Sequence, residues 1–277
     1  MLTESEKRNE LLSRAFPVNT KKPSYIALDI DGTLLSQNNQ FDIEDMYRLV
    51  KFASISNLKI ILATGRSIEE TENLKEILDI LDVQAIVTNC GMELYCRNVS
   101  KFEFETGYHN QLNSRVEEFD RDTIFSTLKQ IGTIYPQEEE HQFPLKISFY
   151  TSDADLKYNQ QLINEYRKEI SGIDFLFTYN QAEKGFHYLD VQPHFATKLS
   201  GIAYYLNKND STLDDVIYFG DNGNDVPCFR KIALSAIIKT HLTNMHSYYS
   251  DVPWESIESV NSVGAGDILK TLERILA

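Results

Sequence analysis

Two carboxylates and a glycine end an apolar segment near the start of the sequence. The stretch YIALDIDGTLL, residues 25–35, predicts a buried strand of a parallel sheet that stops at Asp29, Asp31 and Gly32. Asp29 and Asp31 point to the same side of an extended chain, and two carboxylates this close need a cation or a shared proton. A carboxylate placed there can attack a phosphorus atom, and its neighbour can protonate the departing alkoxide and later activate water. Gly32 lets backbone N–H groups approach phosphate oxygens, although the same residues also fit a plain Asp-Gly turn.

Two later segments contain groups that bind phosphate. Thr64, Gly65 and Arg66 follow a second apolar run, where a hydroxyl and loop amides could hold a phosphate oxygen. Lys198 opens a predicted helix, a position unfavourable to a cation unless an anion lies between the lysine and the helix N-terminus. An ordinary turn and a solvated lysine are the alternative interpretations of these two segments.

An acidic loop follows a third apolar run. Residues 220–225 read GDNGND and include Asp221, Asn224 and Asp225. Hard oxygen donors at a strand end suit Mg²⁺, which prefers octahedral oxygen ligands. A turn rich in Asx residues and glycine is the alternative, but two acids, two amides and two glycines in six residues are a dense signal.

Alternating strands and helices are predicted to position these groups. Ser67 is expected to cap a helix, with Glu70 completing a capping box. The pattern predicts an α/β fold: a doubly wound, Rossmann-like parallel sheet. From residue 111 to 188 the order of predicted helices and strands changes to one typical of an inserted α+β unit. We therefore predict an N-terminal arm (1–22), a core domain (23–110 and 189–277) and a cap domain (111–188). The main predicted elements are strands at 58–63, 85–87, 146–151, 216–219 and 233–238, and helices at 43–56, 123–130, 155–170, 198–206 and 268–276.

Composition limits the possible partners. The 277 residues carry a formal charge of −14 and a pI near 4.9, which argues against nucleic acid as a partner. Three cysteines without metal-ligand spacing suggest free thiols in a reducing compartment. No stretch is typical of a signal peptide or a membrane span, so we expect a cytoplasmic protein that does not bind membranes.

The order of the four segments resembles that of the haloacid dehalogenase superfamily of phosphohydrolases. The resemblance implies that Asp29 is the nucleophile and a metal ligand, and that Asp31 is the acid/base and binds the metal through its carbonyl. It also implies a metal ligand at Asp221 and phosphate contacts from Thr64 and Lys198. Asn224 and Asp225 match positions that bind near the phosphate or orient Lys198. The implied cofactor is Mg²⁺.

The insertion lies where this superfamily carries its type IIB, Cof-like cap. Residues 135–142 (YPQEEEHQ) and 146–150 (KISFY) resemble the cap of sucrose-phosphate phosphatases. This resemblance implies sugar contacts from cap residues and from residues at the mouth of the site, namely Glu138, Lys146, Asp190, Arg66, Asn89 and Gly91. A solvated charge run at 138–140 and an exposed strand position for Lys146 are the alternatives.

The expected function is that of a Mg²⁺-dependent phosphatase acting on a small phosphorylated sugar through an aspartyl-phosphate. A phosphomutase on the same scaffold and a non-catalytic sugar-phosphate binding module are the alternatives. The sequence is compatible with a monomer or a homodimer.

Overall fold

The computed structural model describes residues 22–36, 39–131, 133–152, 154–166, 172–179, 186–239, 245–246 and 248–277. The predicted N-terminal arm lies outside these residues apart from Lys22. Within the described residues, no helix combines the length and apolar character needed to cross a bilayer.

Strands and helices alternate through most of the described chain. The strands are β1 (Tyr25–Leu28), β2 (Lys59–Ala63), β3 (Val83–Thr88), β4 (Glu93–Asn98), β5 (Lys101–Phe104), β6 (Ile134–Pro136), β7 (Ile147–Ser152), β8 (Ile173–Tyr179), β9 (Phe186–Pro193), β10 (Val216–Gly220), β11 (Leu234–Ile238) and β12 (Glu258–Val260). The helices used below are α1 (Ile43–Ile55), α2 (Ile68–Glu72), α3 (Lys75–Ile80), α4 (Thr106–Asn113), α5 (Arg121–Lys129), α6 (Leu156–Tyr166), α7 (Lys198–Lys208), α8 (Val226–Lys231) and α9 (Ala265–Leu276). The capping box of Ser67 and Glu70 at the start of α2 is present, as predicted.

The larger sheet has eight strands in the order β12-β11-β10-β1-β2-β3-β4-β5. Strands β12 to β3 are parallel, whereas β4 and β5 are antiparallel additions at one edge. The predicted α/β fold is confirmed. The β4–β5 hairpin was not predicted, because its half-exposed edge strands lack the apolar run of a buried parallel strand.

Helices cover both faces of this sheet, so the central strands are buried on both sides. Alternate residues of β1 point to opposite faces and belong to two separate apolar clusters. Ile26 and Leu28 share one cluster with residues of α1 and α9, whereas Tyr25 and Ala27 share the other with residues of α7. The β1–β10 pairing is parallel and in register from Tyr25 opposite Val216 to Leu28 opposite Phe219, so the loops after these two strands emerge side by side.

The smaller sheet has four antiparallel strands in the order β6-β7-β9-β8. Alternation gives it an apolar face that includes Phe149, which stacks on Phe125 of α5. The opposite face carries Ser148 and Asp190, which lie directly across from each other.

The predicted domain boundaries fall inside secondary-structure elements. The boundary at 110/111 lies within α4 and that at 188/189 within β9, which continues to Pro193 because its pairing with β8 runs as far as Ile173 opposite Pro193. Asp190 is therefore a residue of the smaller sheet. The division into arm, core and cap domains stays a prediction.

Candidate active site

Lys198 lies at the centre of the predicted site. It is the first residue of α7, and its side chain has no exposed surface. Its Nζ donates to Asp29 Oδ1 at 2.6 Å, to Asp225 Oδ1 at 2.7 Å and to Asn224 Oδ1 at 3.1 Å. Burial by itself lowers the pKa of Lys198, but the Asp225 and Asp29 carboxylates raise that pKa above its ordinary value. The interpretation as a solvated lysine is therefore wrong.

Asp225 holds Lys198 in place. Its Oδ1 accepts from Lys198 and from the hydroxyl of Tyr218, and its Oδ2 accepts the backbone N–H groups of Asp221 at 2.8 Å and Asn222 at 3.0 Å. A carboxylate offers about four acceptor positions, so those of Asp225 are filled. This placement is the one expected of a residue that orients the lysine.

Asp29 and Asp221, the two side chains predicted to bind the metal, lie in the same buried acidic cluster. One carboxylate oxygen of each lies within 4.8 Å of the other and of Asp225. Burial raises the pKa of Asp29 to about 7, although Lys198 opposes the shift. Burial, together with the charges of Asp29 and Asp225, raises the pKa of Asp221 well above its ordinary value. Buried like charges of this kind fit a hard divalent ion, because such an ion removes their repulsion.

The loop after β1 packs directly on Asp221. Gly32 has a φ of +80°, and a Cβ added there would lie 2.3 Å from Asp221 Oδ2, so only glycine fits. The next residue, Thr33, donates its hydroxyl to Asp221 Oδ1 at 3.4 Å. The ends of β1 and β10 therefore meet, as the predicted shared site requires.

Asp31 lies at the mouth of the site. Its side chain is 53% exposed, and its two carboxylate oxygens face the guanidinium of Arg66. The metal contact predicted for Asp31 concerns its main-chain carbonyl and stays a prediction, as does its role as acid and base. The sugar contact predicted for Arg66 also stays a prediction.

Thr64 and Gly65 lie beside the same cluster. The fully buried Thr64 hydroxyl accepts the backbone N–H of Arg66 at 3.1 Å. A Cβ added at Gly65 would lie 3.7 Å from Asn224 Nδ2, so this loop touches a partner of Lys198. Gly65 thus lies next to Asn224, which contacts Lys198, and the phosphate contacts themselves stay predictions.

Two of the predicted sugar contacts form a buried pair on the smaller sheet. Lys146 Nζ lies 3.9 Å from Asp190 Oδ1, and both side chains are less than 10% exposed. Ser148 donates to the same Asp190 oxygen at 2.6 Å. The Sγ of Cys90 lies 3.7 Å from Asp190 Oδ2 and 3.8 Å from Asn224 Nδ2, so one thiol separates this pair from the partners of Lys198. The alternative of an exposed strand position for Lys146 is wrong.

The other predicted sugar contacts are more scattered. Glu138 is exposed and accepts the Tyr150 hydroxyl at 2.7 Å. Asn89 donates its side-chain amide to Glu93 at 3.0 Å. Gly91 has a φ of +105°, and a Cβ there would lie 2.1 Å from the carbonyl carbon of Thr197, so this glycine lets the start of α7 approach closely.

The acidic loop, residues 220–225, also touches the smaller sheet. A Cβ added at Gly223 would lie 1.9 Å from the carbonyl oxygen of Phe177 in β8. The Phe177 N–H donates to the hydroxyl of Tyr249 at 2.7 Å. The segment that carries Asp221 is therefore packed against β8 as well as against the loop after β1.

Sequence reasoning missed the residues that link the predicted groups. Cys90 has a φ of +59°, but no motif marks a cysteine as the contact between Asp190 and Asn224. Tyr218 lies inside an apolar strand, so its sequence context predicts only core packing.

Comparison with known proteins identifies the family. A family model described as sucrose-6F-phosphate phosphohydrolase matches residues 22–274. The chain belongs to the sucrose-6F-phosphate phosphohydrolase family. The predicted resemblance to haloacid dehalogenase phosphohydrolases is confirmed, and so is the prediction of a phosphatase.

Curated relatives of this family member are distant in sequence. The mannosylfructose-phosphate phosphatase of Agrobacterium fabrum (strain C58) is 26% identical over 215 residues, which cover 77% of this chain and 81% of that protein. The chloroplastic endoribonuclease YBEY of Arabidopsis thaliana is 22% identical over 248 residues, and the match spans only 41% of that longer protein.

Solved structures share the fold of this phosphohydrolase family member. The sucrose-phosphatase of Synechocystis sp. PCC6803 has a TM-score of 0.71 at 18% identity, with 92% of this chain and 98% of that chain covered. The HAD subclass IIB sugar phosphatase BT4131 has a TM-score of 0.60 at 17% identity, with 92% and 99% covered.

Replacing Lys198 by Met should destabilise this phosphohydrolase family member. In EDTA at neutral pH, we expect the free energy of unfolding to fall by roughly 3 kcal/mol, because removing one partner of a buried ion pair leaves uncompensated carboxylates. The raised pKa of Lys198 means that its contribution is fully present below pH 10.5 and is lost as the pH rises through the folded-state pKa. Urea denaturation measures the change.

The matched control is Lys208→Met, which removes an ion pair to Glu105 from a lysine that is 51% exposed. An exposed pair contributes at most about 1 kcal/mol. Equal losses in the two variants would show that the buried Lys198 pairs stabilise the fold no more than one exposed pair does.

Proposed function

We propose that the chain is a Mg²⁺-dependent phosphatase that hydrolyses a phosphorylated sugar through an aspartyl-phosphate at Asp29. The observation that carries the proposal is the ion pair between Lys198 and Asp29, with the Asp221 carboxylate alongside. A pure binding module needs no carboxylate held at this position, whereas a displacement at phosphorus needs a nucleophile and nearby positive charge.

The first step is an in-line displacement. A carboxylate oxygen of Asp29 forms a bond to phosphorus while the bond from phosphorus to the sugar oxygen breaks, and Asp31 gives the departing alkoxide its proton. Lys198 neutralises charge that spreads over the phosphoryl oxygens. In the second step Asp31 takes a proton from water, whose oxygen attacks phosphorus and releases phosphate and Asp29.

The donor set fits Mg²⁺. Asp29 and Asp221, with the main-chain carbonyl of Asp31, would hold the ion, and the buried carboxylates supply the hard oxygen ligands that it prefers. When bound, Mg²⁺ would supply positive charge to the phosphoryl group and lower the repulsion between that group and Asp29.

The Lys146–Asp190 pair is proposed to bind the sugar. A lysine donates and a carboxylate accepts, so the pair suits the hydroxyl groups of a sugar ring. The pair lies one thiol away from Asn224, which in turn contacts Lys198, so a molecule that reaches both would place its phosphate and sugar together. The family description and the mannosylfructose-phosphate phosphatase favour a disaccharide phosphate as the substrate.

Phosphate release from a panel of sugar phosphates tests the proposal. With Mg²⁺, we expect turnover of sucrose 6-phosphate or a related disaccharide phosphate to exceed that of hexose phosphates.

Asp29→Asn should lower the rate by at least about 10³-fold, because the amide cannot form the acyl phosphate. Asp82→Asn, an exposed carboxylate, is the control. Activity surviving in Asp29→Asn would refute the mechanism, an isomerised sugar phosphate would indicate a mutase, and binding without turnover would indicate a binding module.

Lys146→Met should change sugar affinity without changing the chemistry. We expect the KM for the preferred sugar phosphate to rise roughly tenfold or more, since a hydrogen bond to a charged group contributes about 1.5–3 kcal/mol. The kcat for p-nitrophenyl phosphate, which has no sugar, should stay close to that of the wild type. Lys157→Met on the exposed side of α6 serves as the control. An unchanged KM for every sugar phosphate would exclude Lys146 from the sugar site.

A further inference from the structure

We propose that Arg66 is a positioning residue, which fixes the orientation of the Asp31 carboxylate at the mouth of the site. The inference rests on the proposed function, in which Asp31 moves the protons. It gives Arg66 a role other than the sugar contact expected from the sequence.

The contact between the two side chains is bidentate. Arg66 Nε donates to Asp31 Oδ2 at 2.8 Å, and Arg66 Nη2 donates to Asp31 Oδ1 at 2.5 Å. Both oxygens therefore meet the planar fork of the guanidinium, which fixes the carboxylate plane as well as its distance. The hydrogen bond to Asp31 is the largest cause of the raised pKa of Arg66.

Arg66 is itself held from three directions. Its backbone N–H donates to the buried Thr64 hydroxyl at 3.1 Å, and its carbonyl accepts the backbone N–H of Asn89 at 2.9 Å. Its Nη2 also donates to Asn39 Oδ1 at 2.6 Å. Only 20% of the side chain is exposed, compared with 53% for Asp31. The more exposed carboxylate is thus held by a guanidinium that has further hydrogen bonds of its own.

Fixing Asp31 matters because Asp29, two residues earlier in the segment after β1, is the proposed nucleophile. Asp31 lies two residues from Asp29, and the carboxylate charges interact. A proton-transfer group must lie within hydrogen-bond reach of the ester oxygen. When Asp31 is protonated, Nε retains Oδ2, and Oδ1 carries the proton towards the ester oxygen from a fixed carboxyl plane. The compact ammonium of a lysine has no planar pair of N–H donors and cannot hold both oxygens of the Asp31 carboxylate in one plane.

The test compares two leaving groups in the full-length protein with Mg²⁺. An alkoxide leaving a sugar phosphate needs a proton from Asp31, whereas p-nitrophenolate leaves without one. We expect Arg66→Ala to lower the single-turnover rate of the first step, release of the sugar, by roughly 10²-fold for the preferred sugar phosphate, because a misplaced catalytic group costs about this much. The single-turnover rate of p-nitrophenolate release, which also reports the first step alone, should fall by less than about threefold, since general acid catalysis contributes little there.

Three further variants define the role. Arg66→Lys should keep the sugar-phosphate KM but leave kcat low, because it retains charge without the fork. Asp31→Asn should show the same dependence on the leaving group, and the double variant should be no worse than Asp31→Asn alone, as expected for residues acting as one unit. Arg97→Ala, which removes an exposed ion pair to Asp82, is the control and should match the wild type.

Two results would overturn the inference while leaving the proposed function intact. Equal losses of the first-step rate on both substrates would mean that Arg66 supports the fold or the phosphate site. A raised KM for the sugar phosphate with unchanged kcat would mean that Arg66 contacts the sugar. If the wild-type protein releases phosphate from neither substrate, the proposed function itself is wrong.

Discussion

A buried ammonium among buried carboxylates is the interaction on which the rest of the site depends. Lys198 has no exposed surface, and Asp29 and Asp225 both lie within 2.7 Å of its Nζ. Burying any one of these charges alone would cost free energy, because the charge loses its hydration. Burying them together offsets that cost only when the charges are close and their remaining hydrogen-bonding positions are filled. Asp225 also accepts hydrogen bonds from the backbone N–H groups of Asp221 and Asn222. The same carboxylate therefore holds both the acidic loop and Lys198 in place.

The fold brings these charges together through parallel pairing and close backbone approach. Strands β1 and β10 are in register, so the residues that follow them meet at one edge of the sheet. Gly32 lets the first loop touch Asp221, and Gly91 lets another loop reach the start of α7. The smaller sheet is joined to the same structure, because Gly223 packs on Phe177 and Cys90 contacts Asp190. Groups proposed to bind phosphate and groups proposed to bind sugar therefore share supporting residues.

The sequence predicted the parts of this arrangement that have local signatures. Buried strands appear as apolar runs, and the residues that end them, such as Asp29 and Asp221, are marked by their position. Contacts between distant segments carry no such mark. The fork between Arg66 and Asp31 joins residues 35 positions apart, and the thiol of Cys90 lies 100 positions from Asp190. The half-exposed β4–β5 hairpin and the end of β9 were missed because neither has a distinctive apolar run or turn.

The most direct test is whether Asp29 and Asp221 hold one divalent ion. Thermal unfolding with EDTA and with excess Mg²⁺, at a pH above about 7 where Asp29 ionises, measures the stabilisation by the ion. We expect Mg²⁺ to stabilise the wild-type protein by about 1–3 kcal/mol and the exposed-carboxylate variant Asp214→Asn equally, whereas Asp221→Asn should gain almost nothing. Equal stabilisation of Asp221→Asn, or none of the wild type, would contradict a shared ion at the ends of β1 and β10.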